Sequence, residues 1–308
     1  MRPRTLVPFR RETLETPDGD ELIIDHVEGP AASPLLVAVH GLEGSSYSVY
    51  VQGILWLAAG RGWRGVAINF RSCARDPEDL SRMIPNRRPR LYHSGDTEDL
   101  DFLFRTLSGR EPATPLLAVG ASLGGNVLLK WLGENPGQRI VRAAVAISVP
   151  YDLAAGSRHL ERGIGRWYAE SFLTTMRKKA LATTRRFPET AARIDVERTR
   201  RAKTFWEFDD AATAPLHGFA GAEEYYRRAS SLAYLPAVRT PTLCISSADD
   251  PFLPAECLER VRAAAPSCVD LLRTCAGGHI GFVSGKAPGR TRFWAEETAA
   301  AFLGRSLE

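Results

Sequence analysis

The sequence predicts an α/β protein: a mostly parallel, eight-stranded sheet with helices on both faces and a helical insertion. Three observations carry that expectation. Short apolar runs of strand length alternate with stretches of helical spacing through the first 150 residues. One such pair is joined by Gly120-Ala121-Ser122-Leu123-Gly124, which reads as a sharp strand-to-helix turn. The alternation then breaks at Val149-Pro150-Tyr151 and resumes after Pro236. A polar, helical segment therefore interrupts one sheet.

The elements follow in order. Arg11 to Thr16 and Glu21 to His26 flank Pro17-Asp18-Gly19-Asp20, and Asp-Gly between alternating runs signals a hairpin. Pro34 to Val39 is apolar throughout, as a strand buried on both faces should be. A helix is expected from about Tyr47 to Ala59, then a strand from Gly65 to Phe70. Arg71 to Ser94 reads as a polar, Arg- and Pro-rich loop. Asp96 is the expected N-cap of a helix through Leu107, whose Leu100, Leu103, Phe104 and Leu107 share one face. Pro115 to Val119 is the strand before the turn, and Gly125 to Leu132 lies in the helix after it. Arg139 to Ile147 holds another strand. After the insertion come a strand at Thr240 to Ser247, a helix at Ala255 to Ala264, a strand at Cys268 to Arg273 and a helix at Thr291 to Leu303.

The expected organisation is a core of residues 1–150 and 237–308 with a helical cap, 151–236, inserted in it. The insertion carries 15 Lys/Arg and 11 Asp/Glu, most of them read as solvated helix faces. Its aromatic residues, Trp167, Phe172, Trp206, Phe208, Phe219, Tyr225 and Tyr226 among them, exceed what a solvated linker needs. Most are expected in the cap's own small core and its seam with the sheet, and some around a pocket over Ser122.

With 308 residues, 44% apolar and 25% charged, the chain is long enough to bury a core without metal or disulfide staples. A net charge of +4 does not indicate nucleic acid as a partner. The five cysteines, Cys73, Cys244, Cys257, Cys268 and Cys275, are odd in number and contain no C-x-x-C spacing. They read as buried thiols of a reducing compartment. The start, Met1 to Pro8, is basic but has no apolar signal region, and no run reaches membrane-spanning length. A cytoplasmic protein without a transmembrane segment is expected.

The turn at Ser122 points to nucleophilic chemistry. It would hold Ser122 in a strained conformation with its hydroxyl projecting from the sheet edge, and the helix N-terminus would aim N–H groups at an adjacent oxyanion. A serine needs a base, and the base an orienting acid. In enzymes with this turn they follow in the order Ser, Asp or Glu, His. Asp249-Asp250 follows the Cys244 strand, and His279, in a glycine-rich loop, follows the Cys268 strand. Asp249 and Asp250 point to different sides, so only one readily reaches His279. His26, His93, His159 and His217 fit the order worse. His40-Gly41 ends an earlier strand, where the second oxyanion donor is expected. The backbone N–H groups of Leu42 and Leu123 are assigned to that role, and His40 to a structural hydrogen bond.

Several stretches beyond these resemble the YheT-like branch of the α/β-hydrolases, which includes relatives of the animal ABHD lipid hydrolases. They include His40-Gly41-Leu42-Glu43-Gly44, Asn69-Phe70-Arg71, Tyr92-His93-Ser94-Gly95, Phe208-Asp209-Asp210, Ala214-Pro215-Leu216-His217-Gly218-Phe219 and Tyr225 to Ser230. Asp249 to Phe252, Gly277 to Phe282 and the Gly120 to Asn126 turn complete the set, which keeps family order over most of the chain. Arg71-Ser72-Cys73-Ala74-Arg75 departs from a family tendency to glycine. The resemblance implies a serine hydrolase of carboxylic esters, with short- or medium-chain or lipid-like acyl esters as natural candidates for the substrate, and no metal or organic cofactor. It implies Ser122 as nucleophile and His279 as general base. Asp250 is favoured as the acid, because proline stands four residues after it as in the usual hydrolase acid turn. The same triad also serves an acyltransferase or thioesterase. A ligand-binding protein on this fold is a third reading.

Overall fold

A computed structural model describes residues 6–285 and 291–308; Met1 to Thr5, the start of the N-terminal stretch considered above, lie outside them. The sheet strands are β1 (Arg10–Glu15), β2 (Glu21–Val27), β3 (Leu35–Val39), β4 (Arg64–Asn69), β5 (Leu116–Ala121), β6 (Val141–Ile147), β7 (Thr242–Ser247) and β8 (Val269–Thr274). They lie in the order β1-β2-β4-β3-β5-β6-β7-β8. Only β2 runs against its neighbours, and every pairing from β4 to β8 is parallel.

Helices α1 (Val49–Ala59), α2 (Glu98–Arg110) and α3 (Leu123–Glu134) occupy the first half. Alternation along the strands divides the core between the two faces. Val37, Val39, Val66, Ile68 and Ala118 pack against Leu100, Leu103 and Phe104 of α2 and Val127, Leu128 and Trp131 of α3. Leu36, Leu117, Val119, Val145 and Ile245 face the other way, against Ile54 and Ala58 of α1 and residues of a C-terminal helix. Every residue of β3 and β5 is buried, which is why these runs are apolar on both sides.

Between β6 and β7 the chain forms α4 (Leu153–Leu160), α5 (Gly165–Arg186), α6 (Val196–Arg201), α7 (Phe205–Phe208), α8 (Ala214–Leu216) and α9 (Ala222–Ala229). Helices α10 (Glu256–Ala264) and α11 (Trp294–Arg305) complete the chain, and α11 supplies the C-terminal packing partner of the second face. Helix starts in the inserted segment follow local chemistry. Asp152 accepts from the Ala155 N–H, Asp195 from the Arg198 N–H, and Thr204 with Glu207 forms a capping box. Helix α5 buries only Gly165, Ala169, Leu173 and Ala180, a narrow stripe set against Leu160, Phe205 and Phe208.

Two local expectations are corrected, and a third, the polar loop from Arg71 to Ser94, holds as a loop but has an interior end. Thr97, not Asp96, holds the N-cap position of α2 and makes no side-chain cap bond. Asp96 is instead buried and paired with Arg90. The Arg71 end of the polar loop is interior, because Arg71 binds Asp99, Asp18 and Asp20 together. Finally, Cys275 is exposed and Cys268 half-buried, so only Cys73, Cys244 and Cys257 are buried thiols.

Candidate active site

Ser122 caps the turn between β5 and α3 with φ 51° and ψ −122°. A side chain is strained there unless its surroundings over-determine it. They do: the Ser122 N–H donates to the Ile147 carbonyl at 2.8 Å, and the Asn126 N–H donates to the Ser122 carbonyl at 3.0 Å. The flanking glycines leave no room. A Cβ on Gly120 would stand 2.5 Å from the Gly124 carbonyl oxygen, and one on Gly124 2.4 Å from that of His40. Asn126 then ties the helix outward, donating to the Ser94 and Ala229 carbonyls and accepting from the Ser231 N–H.

The structure brings Ser122, His279 and Asp250 into one hydrogen-bonded row at the C-terminal edge of the sheet. His279 Nε2 lies 2.9 Å from Ser122 Oγ. His279 Nδ1 lies 3.0 and 2.9 Å from the two Asp250 oxygens. The Asp250 side chain is fully buried and that of His279 is 13% exposed. Asp250 Oδ1 also accepts from the Phe252 N–H at 2.9 Å, which fixes the acid turn. Asp249 faces away and accepts from the Gly277 and Gly278 N–H groups at 2.9 and 2.8 Å, holding the loop that carries His279. The Ile280 N–H donates to Ser148 Oγ, and the Phe252 ring stacks on His279 at 4.1 Å.

Leu42 and Leu123 both line the cavity beside Ser122. Their backbone N–H groups have no acceptor among the described residues. His40 is fully buried and held between the Gly41 carbonyl at Nδ1 and the Phe70 N–H at Nε2. Burial pushes its pKa down to about 3, which suits a neutral structural imidazole.

The cavity over Ser122 measures about 300 Å³. Leu153, Leu160, Phe172 and Phe205 give it apolar walls, and Tyr50, whose hydroxyl accepts the Gly41 N–H, a polar one. A second cavity of about 80 Å³ abuts it, and Leu42, Leu123, Phe205 and Asp209 line both. Of the inserted aromatic residues, Phe172 and Tyr226 line the first cavity and Phe208 and Tyr225 the second. Trp206 and Phe219 pack beside the two tyrosines, whereas Trp167 is 70% exposed.

Several polar groups at the site lie outside the expected set, among them Asp209, Glu43, Lys179, Tyr92 and Tyr50. Asp209 is buried and accepts from Tyr226 and Thr213 at 2.7 and 2.6 Å. Burial raises its pKa to about 6, against the two hydrogen bonds. The folded state therefore holds this proton more tightly than the unfolded chain. Its stabilising contribution is fully present below about pH 4 and is lost as pH rises to about 6. In Asp209→Asn, the melting temperature relative to the parent should rise between pH 4 and 7, by the equivalent of about 2 kcal/mol. A difference that stays constant across paired melts would contradict this assignment.

No helix among the described residues is long and apolar enough to cross a membrane. None of these residues form a cluster of three or more His, Cys, Asp or Glu placed to hold a metal ion.

The sheet order, the strained serine turn and the placement of the inserted helices define an α/β hydrolase. The chain belongs to the α/β-hydrolase fold family, which it matches over residues 34–286, and to the YheT-like branch of it. YheT of Escherichia coli (strain K12), whose name carries a provisional assignment as an esterase, is 36% identical over 99% of this chain and 90% of its own. Phospholipase ABHD3 of Bos taurus is 30% identical over 94% of this chain and 70% of its own. Among solved structures, an esterase of Pyrococcus furiosus, Pf2001, superposes with a TM-score of 0.61 at 17% identity, over 98% of this chain and 92% of its own. At that identity the likeness concerns the fold alone.

Proposed function

We propose that the protein is a serine esterase that hydrolyses carboxylic esters of medium-length or lipid-like acyl groups. The observation that carries the reading is the hydrogen-bonded row from Ser122 through His279 to Asp250, opening on an apolar cavity. Ser122 Oγ attacks the ester carbonyl while His279 Nε2 takes its proton. Asp250 holds the Nδ1–H tautomer and stabilises the imidazolium. The Leu42 and Leu123 N–H groups receive the charge that develops on the carbonyl oxygen. His279 passes the proton to the leaving alcohol, and water then releases the acyl group by the same route. Residues 151–236 act as a cap over the core formed by 1–150 and 237–308. The unpaired cysteines suit a cytoplasmic location.

The names of relatives support the same chemistry: esters are the substrates of a phospholipase, and a Saccharomyces cerevisiae relative, 28% identical, is named monoacylglycerol lipase. The test is a chain-length series of p-nitrophenyl esters. A kcat/KM optimum at medium length is expected, and a folded protein that hydrolyses none of the series would overturn the reading. Phe205 borders both cavities, so Phe205→Ala should move the optimum to longer chains, at a stability cost of about 3 to 5 kcal/mol. An unchanged optimum with a lowered Tm would confine Phe205 to packing.

A further inference from the structure

Glu43 directly follows Leu42, and its backbone is left-handed, with φ 56°. Its N–H donates to Tyr92 Oη at 2.7 Å, and the same hydroxyl donates back to Glu43 Oε1 at 2.9 Å. Lys179, from the middle of α5, reaches down to Glu43 Oε1 at 2.9 Å. Its ammonium also donates to the Cys73 sulfur at 3.2 Å and stands 5.5 Å above the Tyr92 ring. The two side chains of this ion pair are only 10% and 9% exposed. Glu43 Oε2 is buried and has no partner among the described residues. A carboxylate so placed lies one residue from an N–H group assigned to receive negative charge.

We propose that Lys179 is a positioning and charge-neutralising residue that latches the inserted helices to the oxyanion loop through Glu43, deepening the esterase reading on which it rests. Seating α5 places the ammonium on Glu43. Glu43, gripped by Lys179 and Tyr92, fixes the backbone that aims the Leu42 N–H. Without Lys179, the Glu43 carboxylate is a buried, uncompensated charge that repels the developing oxyanion. The loss then falls on the transition state rather than on the neutral ester.

That mechanism has a consequence a mere fastening of helix to loop lacks: removing the second charge should restore what removing the first destroyed. On one medium-chain ester, Lys179→Met should lower kcat by roughly 30-fold with KM within about twofold. The double variant Glu43→Gln/Lys179→Met should recover to within about fivefold of the parent. A double variant as slow as Lys179→Met, or slower, overturns the proposal, as does a Lys179→Met enzyme with parental kcat. Should Lys179→Met not fold, Glu43→Ala decides. Its kcat is expected to drop by about tenfold at unchanged KM, and an unchanged kcat overturns the latch. Each variant is first treated with a fluorophosphonate. Labelling of Ser122 with unaltered kcat rejects the latch alone, whereas a parent enzyme that takes no label rejects the underlying esterase reading.

Discussion

Ser122→Ala should lower ester hydrolysis by roughly 10⁴- to 10⁶-fold while leaving the fold intact. The substitution deletes one hydroxyl, whose partner is His279 Nε2. The turn itself does not depend on that hydroxyl. It is held by the Ser122 N–H bond to the Ile147 carbonyl and by the lack of space for a Cβ on Gly120 or Gly124. The variant should thus melt near the parent temperature. Residual activity would reflect the oxyanion donors and substrate positioning. A purified, folded Ser122→Ala enzyme with near-parental kcat would remove Ser122 from the chemistry.

The second large effect separates two adjacent aspartates. Asp250→Asn should lower kcat by about 10³- to 10⁴-fold, because an amide in place of the carboxylate favours the wrong imidazole tautomer. KM should change little, since Asp250 is fully buried and does not line the cavity. Asp249→Asn should lose about 1 kcal/mol of stability and little kcat, because Asp249 holds the Gly277 and Gly278 N–H groups rather than the imidazole. Steady-state rates on one ester, set beside thermal melts of both variants, check the pair. A dead Asp249→Asn enzyme beside an active Asp250→Asn enzyme would reverse the assignment.

The sequence made some parts of this site legible and hid others, for physical reasons. Ser122 announced itself because a tight strand-to-helix turn needs glycine at fixed offsets, and chain order then drew attention to the loops after β7 and β8. Strands β3 and β5 were readable because burial on both faces demands unbroken apolar runs. The start of α2 slipped by one residue: Asp96 is a good capping residue locally, yet Arg90 draws it inward. Long-range charge pairing left no local trace. Arg71 meets Asp18 and Asp20 across some fifty residues, and Lys179 meets Glu43 across 136. Lysine is scarce in this Arg-rich chain, five against 35, and two of those five, Lys130 and Lys179, have side chains 9% and 10% exposed. That scarcity was the one available signal for Lys179, and composition alone could not say where the ammonium would go.

The most direct test of the account is covalent. The parent protein would be incubated with a fluorophosphonate probe, digested, and its peptides mapped by mass spectrometry. A single stoichiometric adduct on Ser122 is expected, formed fast in the parent, slowly in Asp250→Asn and not at all in Ser122→Ala. Folded parent protein that stays unmodified, or an adduct on another residue that persists in Ser122→Ala, would contradict it.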